Sequence, residues 1–194
     1  GIPKRPFTRT LRGSGRVLGV KFRAGGFFPF WRKDLLQLTG LVVSAAEIFG
    51  FETETWMNRV FNAENPLSMA RQAEAALLTR LPNRDAQSEL ADRIVKTAML
   101  DRDIIKVEQL GERTGMSVRQ LQRLFRKYVG VSPKWVIKRF RLQEAAERIE
   151  RDTSVSLTEL AVQLGYFDQA HFIKDFKAVL GMSPAAYKVW TNSR

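Results

Sequence analysis

The sequence contains no cysteine and a single histidine among its 194 residues. This composition excludes disulfides, thiolate zinc sites and a cysteine nucleophile, and one histidine is too few for a metal centre built from imidazoles. No apolar run approaches the roughly 18 residues that a membrane span requires, and the basic beginning is not followed by the apolar core of a signal peptide. We therefore expect no cofactor, no metal and no membrane, and a cytoplasmic location.

Acidic residues are scarce relative to basic ones. The chain has 32 Lys and Arg against 20 Asp and Glu, a net charge of +12, while its 44% hydrophobic and 27% charged residues are typical of a globular protein. Residues 1–33 contain nine basic and no acidic residues, and residues 117–143 contain eight and none. Such zones suit a polyanionic partner, although a solvated surface explains a charge run equally well.

The beginning of the chain has a strand-like pattern. Residues 16–23 alternate apolar and polar side chains as a half-buried strand does, and Gly25 and Gly26 indicate a turn after it. From about residue 53 the period becomes helical, with helices predicted near 53–62, 66–80 and 86–100. The Leu81-Pro82-Asn83 breaker suggests a boundary between a small α+β region, residues 1–82, and an all-helical region, residues 83–194.

An internal repeat dominates the second half of the chain. The segment 110–133 matches the segment 160–184, at an offset of 50 before the turn and 51 after it, so one residue is inserted in the second turn. Each copy predicts a short helix ending at a glycine, a second helix beginning at a capping Ser or Asp, and a Gly followed by Ser-Pro at its end. The sequence therefore predicts two helix-turn-helix units, joined by a helix over about 133–151.

The second helix of the first unit separates into two faces. At 100° per residue, its apolar side chains fall within one arc, and Arg119, Gln122, Arg123 and Arg126 lie opposite. Arg and Gln carry the paired groups that match guanine and adenine edges in the major groove. An acid-free face of this kind favours DNA binding over simple solvation.

The corresponding face of the second unit is weaker. Ala170, His171, Lys174 and Lys177 point away from the predicted core, but Asp168 and Asp175 lower the charge there. Gln169 falls toward the packed side of the helical wheel, so it is either an N-terminal contact or a structural residue. The linker helix of about 19 residues would span roughly 28 Å, close to the ~34 Å between successive major-groove segments on one duplex face.

Two segments of the repeat resemble a known family. They are SVRQLQRLFRKYVGVSPKWVIKRFRLQEAAERI and SLTELAVQLGYFDQAHFIKDFKAVLGMSP, and together they are similar to the DNA-binding region of AraC/XylS-type transcriptional regulators over about residues 90–190. The resemblance implies a mainly α fold in which two homeodomain-like helix-turn-helix subdomains, about 105–130 and 156–181, flank the linker helix. It also implies an activator in the bacterial cytoplasm, associated with the nucleoid, that binds double-stranded promoter DNA and acts through RNA polymerase.

The same resemblance assigns DNA contacts by position. They are Arg119, Gln122 and Arg123 in the first recognition helix, and Gln169, Ala170, His171 and Lys174 in the second. A homodimer and a small-molecule effector are further partners that membership of this family would allow.

Residues 1–82 resemble more loosely the end of a sensor domain of that family. The similarity suggests that upstream residues complete the domain. The aromatic residues Phe22, Phe27, Phe28, Phe30 and Trp31 would then either pack a core, which we favour, or line an effector pocket. The basic stretch from Lys4 to Lys33 is either an arm on DNA phosphates or a solvated edge, and we favour the edge.

Two other classes of protein fit the sequence less well. A nonspecific architectural DNA-binding protein would carry positive charge on both helices and wedge residues for the minor groove, unlike this sequence. A DNA-repair fusion that transfers alkyl groups needs a nucleophilic cysteine, and this chain has none. His171 has no carboxylate or nucleophile placed around it by a motif, so we expect no enzymatic activity.

Overall fold

The computed structural model describes residues 1–4, 8, 10, 12–50, 53–152 and 154–193, and the predicted mainly helical fold is confirmed. The described helices are α1 (Phe28–Trp31), α2 (Ala45–Phe49), α3 (Thr53–Phe61), α4 (Pro66–Leu78), α5 (Ala86–Leu100), α6 (Val107–Thr114), α7 (Val118–Leu124), α8 (Pro133–Arg151), α9 (Leu157–Gln163), α10 (Gln169–Leu180) and α11 (Pro184–Asn192). A 3₁₀ turn at Leu35–Leu38 and a π-helical segment at Phe125–Val129 complete them. None of the described helices combines the length and the apolar character that a membrane crossing requires.

Side-chain caps begin the helices where the sequence predicted them. Ser117 accepts a hydrogen bond from the Gln120 backbone N–H at 3.3 Å, and Asp168 accepts one from the His171 N–H at 2.7 Å. Asp85 caps α5 in the same way, at 2.7 Å from the Ser88 nitrogen. Because each cap satisfies a backbone donor that the first turn leaves unpaired, these polar residues define the helix starts.

Close packing of the two helices in each unit depends on a small residue in the first helix. A Cβ atom on Gly111 would lie 2.6 Å from the Met116 carbonyl oxygen, and the matching Ala161 is 1% exposed. The turn that follows is made by Gly115 and Gly165, with φ of 67° and 79°, a left-handed conformation that glycine adopts without strain.

Helix α8 contributes to two separate cores. Its first half packs Val136 and Ile137 against α5, α6 and α7, and its second half packs Leu142 and Ile149 against α9 and α10. The two helix-turn-helix units are therefore each built around one end of the same long helix, which sets their separation.

A buried ion pair lies where α8 passes from one core to the other. Arg141 is 2% exposed; its Nη1 donates to the Glu144 carboxylate at 2.8 Å, and its Nη2 donates to the Ala98 carbonyl oxygen at 2.9 Å. Burial lowers the pKa of Arg141, and the Glu144 carboxylate opposes that shift. Glu144 also accepts from Arg148, whose Nη1 donates to Gln163 of α9 at 2.8 Å, so this network ties α5, α8 and α9 together.

The strand predicted over residues 16–23 is wrong, and with it the α+β description of residues 1–82. The described part of this region holds helices and irregular chain, and residues 16–23 pair with no neighbouring strand. A strand requires a partner for its backbone groups, which alternation alone does not supply. The alternation is only partly used for packing, because Leu18 and Phe22 are half-buried whereas Val20 is 52% exposed. The turn at Gly25 and Gly26 is confirmed.

Residues near the beginning of the chain pack on the first helix-turn-helix unit. Phe28, Leu35 and Leu38 are buried in the same core as α5, α6 and α7, although they precede the breaker at residues 81–83. The Phe28 ring lies 4.2 Å from the Tyr128 ring, centroid to centroid. The division of the chain at residue 82 stays a prediction, and Arg5 and Arg9 of the basic stretch lie outside the described residues.

Candidate nucleic-acid interface

Helix α7 presents one polar face to solvent. Leu121 is fully buried and Leu124 is 5% exposed, and these side chains anchor the helix in the first core. The opposite face carries exposed side chains at every predicted contact position: Arg119, Gln122, Arg123 and Arg126. The two faces separate as the helical wheel predicted, and the exposed one carries no carboxylate of its own.

The helical turn that follows α7, Phe125–Val129, is π-helical. The Gly130 N–H donates to the Phe125 carbonyl oxygen at 2.8 Å, a bond that spans five residues where an α-helix spans four. The wider turn buries both Tyr128 and Val129, and Lys127 lies 5.2 Å above the Phe28 ring. The π-helical turn after α7 therefore packs against the N-terminal segment that contains Phe28.

An acidic side chain from that segment reaches the polar face of α7. The Asp34 carboxylate accepts from Arg126 Nε at 3.2 Å, and these residues stand 92 positions apart in the sequence. The Thr39 hydroxyl donates to the Gly130 carbonyl oxygen beside it. Sequence reasoning missed Asp34, because nothing in its local pattern connects it with the repeat.

Helix α10 presents the second exposed polar face to solvent. Phe172 and Phe176 are fully buried, and Gln169, Ala170, His171 and Lys174 are all exposed. The Gln169 side chain lies within 3.4 Å of the Thr158 hydroxyl on α9 and is still open to solvent. It therefore touches its neighbouring helix and faces outward as well.

Asp175 connects this second face to the linker helix. Its carboxylate accepts from Lys138 Nζ at 3.1 Å and from the Tyr166 hydroxyl at 3.2 Å, and His171 Nε2 lies 3.4 Å away. Burial of the phenol, together with the Asp175 charge, raises the pKa of Tyr166. Asp175 is thus engaged by its neighbours, which leaves Lys174 and Lys177 as the exposed charges of α10.

The basic zone at residues 117–143 is divided by the fold. Arg141 is buried with Glu144, and Lys138 and Arg126 each pair with a carboxylate. Arg119 and Arg123 are exposed on α7. A count of charges along the sequence therefore overstates the basic surface that a nucleic acid would meet.

The N-terminal aromatic residues lie in two packing arrangements. Phe22, Phe27 and Phe30 meet edge to face or tilted, with centroid separations of 5.0 to 6.4 Å, and Phe49 closes the group. Phe28 instead meets the Tyr128 ring at an interplanar angle of 48°. A cavity of about 420 Å³ between α3 and α4 has Trp56, Arg59 and Gln72 in its wall and none of the five predicted residues. Their role toward an effector stays a prediction.

Metal ligands are not grouped on this surface. Within the described ranges, no cluster of three or more His, Asp or Glu side chains is placed to hold a metal ion. The chemistry available on both faces is hydrogen bonding from Arg, Gln and Lys and apolar contact from Ala170.

The pair of helix-turn-helix units matches a described protein family. Residues 110–189 match the family described as "Helix-turn-helix domain". The matched segment, residues 110–189, contains α7, α8, α9 and α10, and so includes both exposed faces.

Curated relatives are similar over part of this chain. An "Uncharacterized HTH-type transcriptional regulator" of Haemophilus influenzae is 35% identical over 82 residues, 42% of this chain and 27% of that protein. The "HTH-type transcriptional activator AarP" of Providencia stuartii is 33% identical over 85 residues, 44% of this chain and 62% of that protein. The "HTH-type transcriptional activator RhaS" of Salmonella paratyphi B is 25% identical over 166 residues, 82% of this chain and 57% of that protein. The chain spans less than two thirds of the length of each.

A solved structure resembles part of the chain. It is a crystal structure of a transcriptional regulator from Chromobacterium violaceum, described as an AraC-type DNA-binding domain-containing protein. It is 22% identical and covers 55% of this chain and 96% of its own, with a TM-score of 0.46.

Proposed function

We propose that this protein is a sequence-specific DNA-binding regulator of transcription that reads two adjacent major-groove segments with α7 and α10. The observation that carries the proposal is the pair of exposed recognition faces built on one 19-residue helix, α8. A helix of that length spans about 28 Å, which suits two recognition helices placed on successive major-groove segments about 34 Å apart.

The first recognition helix supplies most of the base reading. Arg119, Gln122 and Arg123 are exposed on α7 and carry the paired groups that bond guanine and adenine edges. Arg126, nearer the end of the helix, contacts a phosphate and sets the position of α7 on the duplex.

The second recognition helix, α10, offers fewer paired hydrogen-bonding groups to the bases than α7 does. Gln169, His171 and Lys174 offer hydrogen bonds from α10, and Ala170 offers contact to a thymine methyl. Gln169 is its one paired hydrogen-bonding group, whereas α7 offers three among its predicted contacts. We infer that α7 contributes more of the affinity than α10 does.

The relatives support a role for the whole protein. Two of them are described as transcriptional activators, which supports promoter DNA as the target and RNA polymerase as the partner. We place the protein in the bacterial cytoplasm, at the nucleoid, and assign DNA binding to residues 83–194 and regulation to residues 1–82. A homodimer and a small-molecule effector belong to the same hypothesis. The proposed activity of the protein is DNA binding without a catalytic step.

Selection of DNA sequences tests the proposal. The full chain is incubated with a random duplex library, bound sequences are enriched, and affinities for the selected and random duplexes are measured by fluorescence anisotropy at two salt concentrations. We expect a preferred sequence with two groups of specified bases about one helical turn apart, bound at least about 10³-fold more tightly than random DNA. Equal affinity for both duplexes, with a steep salt dependence on each, would instead identify an architectural binder.

A further inference from the structure

The turn before α10 contains one more residue than the turn before α7. The backbone aligns the two turns: the Met116 N–H donates to the Gly111 carbonyl oxygen at 3.0 Å, and the Tyr166 N–H donates to the Ala161 carbonyl oxygen at 3.0 Å. The capping residue follows Met116 directly, whereas Phe167 stands between Tyr166 and its cap. Phe167 is therefore the residue inserted in the second unit.

The inserted residue packs on nothing. Phe167 is 99% exposed, while its neighbour Tyr166 is half-buried, bonds the Asp175 carboxylate and meets the Phe172 ring edge to face. Leaving a phenyl ring in water forgoes the free energy that its burial would contribute. Phe167 thus has no stabilising role in the fold, and its hydrophobic surface is available to a partner.

The position of Phe167 identifies that partner. It lies two residues before Gln169 and three before Ala170, at the end of α10 that faces DNA in the proposed complex. Ala170 is a second exposed apolar residue on that end, and Lys174 follows one turn later. The thymine C5-methyl is the apolar group that a major groove displays.

We propose that Phe167 is a specificity-determining residue that contacts a thymine methyl in the major-groove segment facing α10. This inference rests on the proposed function and extends it. Because α10 has one paired hydrogen-bonding group, Gln169, its discrimination depends on apolar contact, and Phe167 provides a larger apolar surface than Ala170. The second half of the DNA site therefore contains a thymine whose methyl group is required.

Deoxyuridine substitution tests this contact, because it removes only the C5-methyl group from a thymine. The sequence selected by the full chain is synthesised with each thymine replaced in turn, and binding is measured for the wild type, Phe167→Ala and Phe167→Leu. For the wild type we expect one substitution in the segment facing α10 to weaken binding about three- to tenfold. Phe167→Ala should weaken binding to the unmodified duplex by a similar factor. Replacing that thymine by deoxyuridine should then cause no further loss of binding by the Phe167→Ala variant.

Two controls separate the proposal from its alternatives. Phe61, which is 51% exposed on α3, provides a matched loss of an exposed phenyl ring, and Phe61→Ala should bind every duplex as the wild type does. Because Phe167 packs on nothing, Phe167→Ala should also keep the thermal midpoint of the wild type. Phe167→Leu should keep part of the response to the thymine methyl.

Each result decides the question. If Phe167→Ala binds the selected duplex as tightly as the wild type does, or keeps the full response to the thymine methyl, the proposed contact is wrong and Phe167 serves a partner other than DNA. In either case the selected sequence still supports DNA reading by the protein. If the full chain selects no sequence at all, the proposed function fails and this inference fails with it.

Discussion

The carboxylate of Asp34 lies 3.2 Å from Nε of Arg126 and links the N-terminal segment to the exposed basic face that continues from α7. Other contacts hold the same N-terminal segment beside this helix. A Cβ atom on Gly130 would come 2.9 Å from the Leu35 carbonyl oxygen, and Phe28 and Leu35 are buried beside the same helix. The segment that contains Asp34 is therefore held in place by packing, and its carboxylate competes with a DNA phosphate for Arg126 in the proposed complex.

Asp34→Asn should increase DNA affinity. The substitution keeps the size of the side chain and removes the charge that competes with a phosphate for Arg126. Because the pair is partly exposed, we expect a gain of only about two- to fivefold, with the slope of log affinity against log salt steeper by about one. Fluorescence anisotropy titrations at several salt concentrations measure both quantities.

A double-mutant cycle assigns that gain to the pair. In the Arg126→Ala background, Asp34→Asn should change affinity much less than it does in the wild type, because the group released by the substitution is gone. An equal gain in both backgrounds would mean that Asp34 acts through the general field of the protein and not through Arg126.

Arg123→Ala should weaken binding to the selected sequence by about 1 to 3 kcal/mol and leave the fold intact, since the side chain is exposed on α7 and pairs with a base edge in the proposed complex. Arg71→Ala is the matched control, an exposed arginine on α4 outside the matched segment 110–189. Competition between selected and random duplexes measures the effect. An equal loss on both duplexes would assign Arg123 to the phosphates.

Lys174→Ala should cost less binding free energy than Arg123→Ala does. Lysine offers one point charge where arginine offers a planar pair of donors, and α10 carries the poorer face. Quantitative mobility-shift titrations of the two variants on the same duplex give the order. A larger loss for Lys174→Ala would place the main affinity on α10 and reverse our ranking of the two helices.

Glu144→Ala should destabilise the protein strongly. It leaves the buried Arg141 guanidinium without its carboxylate, and losing one partner of a buried ion pair costs about 3 to 5 kcal/mol. Glu147→Ala is the control on the same helix: Glu147 is 54% exposed and 3.9 Å from Arg102, so its loss should cost less than about 1 kcal/mol. Urea unfolding followed by circular dichroism compares the two variants. Equal free energies of unfolding for both would show that the Arg141 pair contributes nothing.

Much of the second half of the fold follows from local signals. Ser117, Asp168 and the turn glycines define helix ends through backbone chemistry that operates within four residues, so the repeat alone predicts both helix-turn-helix units and the linker helix. The apolar periodicity of α7 likewise predicts which of its side chains are exposed. These features need no knowledge of the rest of the chain.

The first half could not be predicted in the same way. Residues 16–23 have the alternation of a strand, yet a strand exists only if another strand pairs with it, and the described chain provides none. The burial of Phe28 depends on Tyr128, one hundred residues later. A local pattern of side chains indicates a preferred structure. Residues far away in the chain determine whether that structure forms.

The sequence by itself determined the two recognition faces, the turns between their helices and the linker that sets their spacing, because each depends on neighbours within a turn or two of helix. Only the tertiary structure decided which basic residues are available to DNA. It buries Arg141 with Glu144, occupies Lys138 with Asp175 and Arg126 with Asp34, and leaves Phe167 fully exposed. The exposure and the charge environment of these side chains depend on the whole fold, since the field and the packing around a side chain come from every segment that the fold brings beside it.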